Sequence, residues 1–567
     1  MRRRNFIRKL GFAAGAPMAF HGVPIKLMAA DKPLQRLAAN SDNDKVLVIV
    51  QLHGGNDGIN TFIPLNQYDQ YYNRRANIAI PYKVGNRTAI PLDSTLAIED
   101  QVGLHPDMND FKHLYDTGKA AVFQGVSYEN NNGSHFRGRD IWFMGGDVDD
   151  YFSSGWVGRY LNEIYSPLTY PADFPNSDMP DPLALEMGND LSLIFHQTGN
   201  IPTSVSLPGS PDRLAETIAA LEGFADEGVD PRGLPPEFLQ SSPYGKEMDW
   251  ILGLEDKSET YIERLSDIYL ASAETAVDYP EQYPFNAPSG QRNNPLSGQL
   301  QLVARLIGGG AKTKVFLVRM GGFDSHAEQA ETYDATMGTH AALLYHLSSA
   351  MRAFNEDLAQ RGVGDRVLTM TMSEFGRRVG SNGSYGTDHG TGGPVMMFGD
   401  GVNPGVYGTN PNMGDNNVGM QFDYRQICAN VLHEWMGVDK DVIANNIFFR
   451  DFIDGTDSNG VNYEELDLIR DVALSTSDIL KRNFNIHNMY PNPAKDTVNV
   501  EINLNDSQEG YLQLIDVNGK KIKQQRFKLD PGRSKVKLNL EGIKPGNYFL
   551  KAISEKLNET RKLRVRQ

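Results

Sequence analysis

Five short apolar runs constrain the fold of this sequence more than any other feature. Each run is apolar at successive positions rather than at alternate ones, which is typical of a strand buried on both faces. Helical patterns separate several runs, as in residues 340–362, where leucines, Met351 and Phe354 fall on one face. This alternation predicts an α/β fold with a doubly wound, mostly parallel sheet. The runs are KVLVIVQL (45–52), KAAVFQGV (119–126), KVFLVRM (314–320), RVLTMTM (366–372) and PVMMF (394–398).

The two ends of the chain differ from its middle. Residues 1–30 begin MRRRNFIRK and continue into a mildly apolar stretch, which resembles a twin-arginine signal for export through the periplasm. From about residue 485 short strand patterns alternate with Asn-Gly and Pro-Gly turns, so residues 485–567 are predicted to form an all-β sandwich. The acidic, polar residues 456–484 are read as a linker between this sandwich and an α/β domain at 45–455.

An insertion is expected at about 165–295, where Pro-rich loops and a charged helical segment interrupt the strand pattern. It would cover one edge of the sheet, either as a cap that shapes a substrate site or as scaffolding.

Charge and composition exclude several classes of partner. A formal net charge of -16 argues against nucleic acid, because neutralising phosphates requires a basic surface. No run of about 20 apolar residues follows the first thirty, so no transmembrane segment is expected. The single cysteine, Cys428, cannot form an internal disulfide and lies in an apolar helical pattern that predicts a core thiol.

Polar side chains follow the predicted strands at the points where ligands bind in open α/β sheets. Carboxylates and imidazoles are ligands for hard or borderline divalent cations, so these positions predict a metal site with one or two ions. The candidate ligands are Asp57, Asp324, His326, Glu374, Asp388 and His389.

The stretch GSHFRGRD supplies the candidate catalytic residues, Ser134, His135 and Arg137. A serine at a helix start near a cation could attack phosphorus or sulfur, and Arg137 or Arg139 could hold an oxyanion. The alternative is that Ser134 is a helix N-cap and that the arginines face solvent.

Several stretches resemble the alkaline phosphatase-like superfamily, and more closely the exported domain-of-unknown-function family 1501. They are VQLHGGNDGINTFIPL, GSHFRGRDIWFMGG, GWVGRYL, FDSH, SEFGRR and FDYRQICANVLHEWMG, within residues 45–450. The resemblance implies an alkaline phosphatase-like sheet, zinc as the first expectation with calcium and magnesium left open, and Ser134 as nucleophile. It places Asp57, Asp324, His326 and His389 at ligand positions, with Asp388 as a ligand or as a partner of His389. Glu374 stands where phosphatases have the Asp of an Asp-His pair, and Phe375 replaces the histidine.

The C-terminal stretches MYPNPAKDTVNV, GNYFLKA and KLRVRQ resemble the type A sorting domain of the type IX secretion system. This resemblance implies delivery to the cell surface or the medium, with the export and type IX machinery as partners.

The first functional hypothesis is an exported metal-dependent hydrolase that acts on a phosphate or sulfate ester, small or glycan-linked. The second is a non-catalytic surface or carbohydrate-binding protein that retains the fold, which the missing zinc histidine favours. A type I sulfatase is disfavoured because no Cys/Ser-x-Pro-x-Arg motif occurs. An α/β-hydrolase, suggested by His53-Gly54-Gly55, is disfavoured because no Gly-x-Ser-x-Gly occurs.

Overall fold

A computed structural model describes most of the chain, which divides into two compact units, Met1–Arg470 and Asp471–Gln567. The predicted signal segment lies outside the described residues except for two short pairing strands, Ala19–Phe20 and Val23–Pro24. So do much of the predicted insertion and residues 471–483 of the predicted linker. The described residues are 19–20, 23–24, 44–188, 191–207, 209, 260–288, 290–458, 460, 462–463, 465–470, 484–490, 494–504, 507–516, 520–529, 532–554 and 558–566.

A mixed sheet organises the first unit, and the part of it that the structure describes has nine strands. All five predicted apolar runs are strands of this sheet, and the predicted α/β fold class is confirmed. In spatial order the strands are Ser204–Leu207, Ala184–Met187, Val315–Met320, Val46–Leu52, Val367–Met372, Gly393–Phe398, Ala120–Ser127 and Gly405–Tyr407, with Phe422–Asp423 also pairing with Ala120–Ser127.

The central strand 46–52 explains why its apolar residues are continuous rather than alternating. Val48 and Val50 pack into the core on one face of the sheet, and Leu47 and Ile49 pack into the core on the other. Successive side chains of a strand point to opposite faces, and both faces are covered here, so positions 46–50 are all apolar.

Helices cover the two faces of the sheet. Leu300 and Leu344, on two different helices, belong to one core, whereas Trp142, Tyr160 and Ile427 belong to the other. The helices are Gly58–Thr61, Tyr68–Arg74, Asn109–Asp116, His135–Met144, Trp156–Tyr165, 260–271, Ser297–Gly308, Thr339–Gln360, Tyr424–Asn430 and Lys440–Val442. The helix 424–430 buries Cys428, as its apolar pattern predicts.

One of the five predicted strands runs against the others. The strand 393–398 is antiparallel to both of its neighbours, 367–372 and 120–127, whereas 46–52, 315–320 and 367–372 are parallel. Its beginning therefore lies at the edge where the parallel strands end, and this brings the residues just before it to that edge.

Part of the region predicted as an insertion belongs to the sheet itself. Strands 184–187 and 204–207 pair in parallel and extend the sheet beyond 315–320. At four residues each they are too short to stand out by periodicity. Smaller antiparallel pieces complete the unit: Phe62–Pro64, Ile90–Pro91 and Val102–Leu104 in one sheet, and His196–Gln197 with Ile201–Pro202 in another.

The described part of the second unit consists of two antiparallel sheets packed on one apolar core. Val500, Leu514 and Leu550 are among the core residues, and their described neighbours along the strands are partly or fully exposed, as expected for a sandwich. One sheet contains Phe484–Tyr490, Thr497–Leu504 and Gly532–Asn539; the other contains Lys521–Leu529, Gln508–Asp516, Gly546–Ser554 and Asn558–Val565.

Across both units, none of the helices within the described residues combines the length and the apolar composition needed to cross a bilayer.

Candidate metal centre

The loops at the carboxyl edge of the main sheet bring three side chains from distant parts of the chain together. His135 begins the helix that follows strand 120–127, Asp324 follows strand 315–320, and His389 precedes strand 393–398. One ligand atom from each of the three lies within 4.8 Å of the other two. Among the residues that the structure describes, these three form the group of His, Cys, Asp or Glu side chains that could hold a metal ion.

The two oxygens of Asp324 have different surroundings. Oδ1 accepts a hydrogen bond from Arg377 at 2.6 Å and also lies 3.1 Å from Nε2 of His389. Oδ2 lies 3.3 Å from Nε2 of His135. Burial raises the pKa of Asp324, but the hydrogen bond and the positive charge of Arg377 act against this effect, and the pKa is lowered to about 2. The carboxylate is therefore ionised at neutral pH, and it is about half exposed.

In His135 and in His389, the hydrogen-bond partner of Nδ1 determines that Nε2 faces Asp324. Nδ1 of His135 lies 2.9 Å from Oε1 of Glu374, and Nδ1 of His389 lies 2.8 Å from the carbonyl oxygen of Gly133. Both partners only accept hydrogen bonds, so each neutral ring carries its proton on Nδ1 and turns the lone pair of Nε2 towards the carboxylate. Burial also lowers the pKa of His389, which favours the neutral ring.

This arrangement fits a cation. Each Nε2 lone pair faces one oxygen of the Asp324 carboxylate, at 3.3 Å for His135 and 3.1 Å for His389, and Nε2 of His135 is buried without a hydrogen-bond partner. Acceptors that face one another repel unless a proton or a metal ion lies between them. An acceptor behind a histidine that fixes its ligating nitrogen is the usual second layer of a metal site.

His326 and Asp388 lie beside this group. Nε2 of His326 is 2.8 Å from Nε2 of His389 and 3.2 Å from Oδ1 of Asp324, so a proton on His326 can serve either acceptor. Nδ1 of His326 is 3.5 Å from Oδ1 of Asp388, which also accepts from Asn382. Both side chains are about half exposed.

Glu374 lies behind His135 rather than in the group of three. Its buried Oε1 accepts from the backbone N–H of Gly54 at 2.9 Å as well as facing His135. The carboxylate thus links the loop after strand 46–52 to the helix that begins at His135.

Asp57 forms a separate buried ion pair. Its Oδ2 accepts from Arg75 at 2.6 Å and from Gln329 at 2.5 Å, and both members of the ion pair are fully buried. Burial raises the pKa of Asp57, but Arg75 more than offsets this and the pKa is lowered overall. Its oxygens are occupied by these donors and by the N–H of Asn60, whose short helix it caps.

Ser134 is the N-cap of the helix 135–144, and its Oγ accepts from the N–H of Arg137 at 3.4 Å. It lies between Gly133, whose carbonyl faces His389, and His135, which is a member of the group of three. The guanidinium of Arg137 donates to the carbonyls of Val148 and Asp150, at 2.7 and 2.5 Å. Arg137 therefore ties the helix to the loop that follows it.

Two residues of the site carry no role in the sequence-based prediction. Arg377 is fully buried and donates to Asp324, and Phe375 packs its ring 4.9 Å from that of His135 and 4.7 Å from that of His389. Both belong to the motif SEFGRR, but the motif does not reveal that Arg377 points inwards. Phe375, read from sequence as a lost ligand, forms an apolar wall beside both imidazoles.

The loop His53-Gly54-Gly55 runs directly over these groups. Gly54 has a φ of +124°, and a Cβ there would collide with the backbone nitrogen of Asp324. Only glycine allows this approach. The ring of the exposed His53 stacks 6.2 Å from that of His135, so His53 lies at the rim of the site.

Two family models match the chain, and they confirm the resemblances to family 1501 and to the sorting domain. Residues 262–453 match the family described as "Protein of unknown function (DUF1501)", and residues 488–566 match the secretion system C-terminal sorting domain. A sorting domain of this kind indicates export to the cell surface or secretion. No curated protein matches the chain significantly.

Solved structures match only distantly. An alkaline phosphatase superfamily protein from Vibrio parahaemolyticus is 11% identical over 94% of this chain and 92% of its own, with a TM-score of 0.33. The PsFucS1 sulfatase from Pseudoalteromonas sp. is 11% identical over 91% of this chain and 88% of its own, with a TM-score of 0.30. A beta-glucosidase from Kluyveromyces marxianus is 12% identical, and the match spans 15% of this chain and 14% of that one, with a TM-score of 0.12. TM-scores this low carry no argument, and the fold assignment rests on the sheet topology itself.

Proposed function

We propose that this chain, with its DUF1501 region and sorting domain, is an exported metal-dependent hydrolase of phosphate or sulfate esters. One observation carries the proposal: two histidines, each fixed at Nδ1 by an acceptor, turn Nε2 towards the half-exposed carboxylate of Asp324. A purely structural cluster would not need two aligned lone pairs next to an ionised oxygen.

The ligands proposed for the cation are His135, Asp324 and His389. Glu374 and the carbonyl of Gly133 act behind them by holding the two rings. Zinc suits this set of two nitrogens and one oxygen. Once bound, such an ion polarises an ester oxygen and lowers the pKa of a hydroxyl or water beside it. His326 and Asp388 lie close enough to be ligands of a second ion or to contact the substrate.

The charge of the site favours an anionic substrate. Asp324 is the sole carboxylate of the ligand group, and Arg377 shares its charge through an ion pair. A divalent cation bound to this group would carry more positive charge than Asp324 neutralises, and it would face solvent. The N-terminus of the ten-residue helix 135–144 adds backbone N–H groups and the positive end of its dipole. A small phosphate or sulfate ester, free or glycan-linked, matches this field.

Ser134 is the proposed nucleophile because it lies in the chain between His135, a proposed ligand, and Gly133, whose carbonyl holds the ligand His389. Its Oγ would lose its proton to water as it forms a bond to phosphorus or sulfur, while the bond to the ester oxygen breaks and the leaving alkoxide takes a proton from water. A second water molecule would then add its oxygen to phosphorus or sulfur, release phosphate or sulfate and return a proton to Oγ. Accepting the N–H of Arg137 does not prevent this, since that contact uses a lone pair and leaves the hydroxyl proton free. Arg137 is left out of the catalytic set because its guanidinium donates to backbone carbonyls.

The test combines metal analysis with a screen of substrates on purified protein. Wild type is expected to hold at least one divalent ion, to lose activity after chelation and to regain it on adding Zn²⁺. His135→Ala and His389→Ala should each lose metal and turnover together. His113→Ala, which changes an exposed histidine on the helix 109–116, is the control and should retain both. Metal-free wild type with full activity would contradict the proposal.

The second candidate function is a non-catalytic surface protein that keeps the metal centre. The N-cap contact of Ser134 favours it, because this contact alone explains a serine at that position. A wild-type protein that binds the cation but hydrolyses no ester in a broad phosphate and sulfate panel would establish this alternative.

A further inference from the structure

We infer that Arg377 is a positioning residue that leaves Asp324 a single oxygen, Oδ2, for a cation, and that it thereby selects for zinc over ions that require more oxygen ligands. The inference rests on the cation proposed above, but not on ester hydrolysis.

The contacts of Arg377 hold its guanidinium in one place. Nε donates to the carbonyl of Gly55 at 2.9 Å, and Nη1 donates to that of Thr387 at 3.0 Å. Nη2 donates to the carbonyls of Gly54 and Phe323 and to Oδ1 of Asp324. A single buried side chain thus joins three loops at the carboxyl edge of the sheet.

This fixed guanidinium determines how Asp324 can bind. Oδ1 is held by Arg377 at 2.6 Å and lies near His326 and His389, whereas Oδ2 faces His135. A carboxylate oxygen in a strong charged hydrogen bond gives one lone pair and electron density to that donor, so it is a weaker metal ligand than the other oxygen. Asp324 therefore favours binding a cation through Oδ2 alone.

This restriction discriminates between cations. Zinc is satisfied by about four ligands that include imidazole nitrogens. Calcium takes about six to eight oxygens and commonly uses a carboxylate through both of them, and manganese prefers carboxylate and water oxygens. Removing Arg377 would free Oδ1 and favour the oxygen-seeking ions relative to zinc.

Arg75 provides a matched control for the loss of a buried arginine. Like Arg377 it is fully buried, it forms an ion pair with an aspartate at 2.6 Å, and it donates to backbone carbonyls. Its partner, Asp57, lies outside the ligand group. Arg75→Met should destabilise the fold much as Arg377→Met does, without changing the choice of metal.

The experiment measures the ratio of Zn²⁺ to Mn²⁺ affinity by equilibrium dialysis for wild type, Arg377→Met and Arg75→Met, with melting temperatures recorded in parallel. We expect the ratio to fall at least tenfold in Arg377→Met and to be unchanged in Arg75→Met. An unchanged ratio in Arg377→Met, or an equal fall in both variants, would overturn the inference.

A measurement on wild type keeps the test decisive if Arg377→Met does not fold. Wild-type protein loaded with Co²⁺ should show the intense visible absorption of a four-coordinate ion, as expected when Asp324 supplies one oxygen. The weak spectrum of a six-coordinate ion would overturn the inference. Wild type that binds no divalent ion would refute both this inference and the proposed metal centre, whereas a lack of ester hydrolysis with normal metal binding would refute the proposed activity alone.

Discussion

Oε1 of Glu374 lies 2.9 Å from Nδ1 of His135, although the two residues are 239 positions apart in the chain. Glu374 is almost fully buried, while His135 is partly exposed at the rim of the sheet. The carboxylate at the end of one strand therefore acts on the helix that follows another strand. This contact supports the proposal that Glu374 orients His135 rather than contacting a cation itself.

We expect Glu374→Gln to weaken Zn²⁺ binding by about 10- to 100-fold, because one amide oxygen cannot accept from both His135 and Gly54 with the strength of a carboxylate. Isothermal titration calorimetry on protein first stripped of metal would measure this change. Glu356→Gln, at an exposed position on the helix 339–360, should leave the affinity unchanged. Unaltered affinity in Glu374→Gln would contradict the orienting role.

Two substitutions of Ser134 distinguish its role as a helix N-cap from the proposed role of its hydroxyl as nucleophile. Ser134→Asn preserves an N-cap, so it should leave stability nearly unchanged, whereas Ser134→Ala should cost ~1 kcal/mol. If the hydroxyl is the nucleophile, both variants should lower turnover by on the order of a hundredfold with metal content unchanged. Denaturant melts and steady-state rates measure the two effects. Full activity in Ser134→Asn would exclude the nucleophile.

His340 should make the fold sensitive to acid. It is buried, its Nε2 lies 3.2 Å from Oδ1 of Asn56, and burial lowers its pKa from 6.5 to about 4. Below pH ~6.5 the unfolded chain binds a proton at this position that the folded chain does not bind until about pH 4, so stability falls across this window. The full loss is on the order of 3 kcal/mol.

In His340→Gln this part of the pH dependence should disappear, because Gln can still donate to Asn56 but does not titrate. Unfolding free energies from urea melts at pH 7, 6 and 5 would measure it. A variant whose stability falls as steeply as that of wild type would rule out His340 as the source.

Removing the C-terminal unit should leave the first unit folded, since each is compact and has its own apolar core. A chain ending at Arg470 is expected to keep the main thermal transition within a few degrees of that of the full chain. It should also fail to reach the cell surface or the medium in a host with a type IX system. Differential scanning calorimetry measures the thermal transition, and cell fractionation measures delivery. An unfolded truncated chain would refute the expectation that the first unit folds by itself.

The fold could be predicted from local pattern to a large extent. The continuous apolar runs identified the strands because burial on both faces removes the polar positions. The direction of strand 393–398 was not available from its residues, since an apolar run reads the same in parallel and antiparallel pairing. The short strands 184–187 and 204–207 are not predicted, because four residues are too few to show a strand periodicity.

The sequence predicts which edge of the sheet carries the candidate site, but not which side chains contact one another there. Strand-end position identified Asp324 and His389, and the motif around Ser134 drew attention to His135. The same reasoning placed Asp57 beside them, whereas the structure pairs it with Arg75. Position in the chain indicates which edge of the sheet a side chain reaches, but not the direction in which it points.

The sequence by itself determined the classes of structure: which runs become strands, where the all-β unit begins, and which loops carry carboxylates and imidazoles. These follow from local chemistry, since burial, periodicity and turn residues act over a few positions. Only the tertiary structure decided that Glu374 holds His135, that Gly133 holds His389 and that Arg377 takes one oxygen of Asp324. Each of these contacts joins residues that are at least 53 positions apart in the chain. Their partners are set by the packing of loops from different strands, and no local pattern encodes that packing.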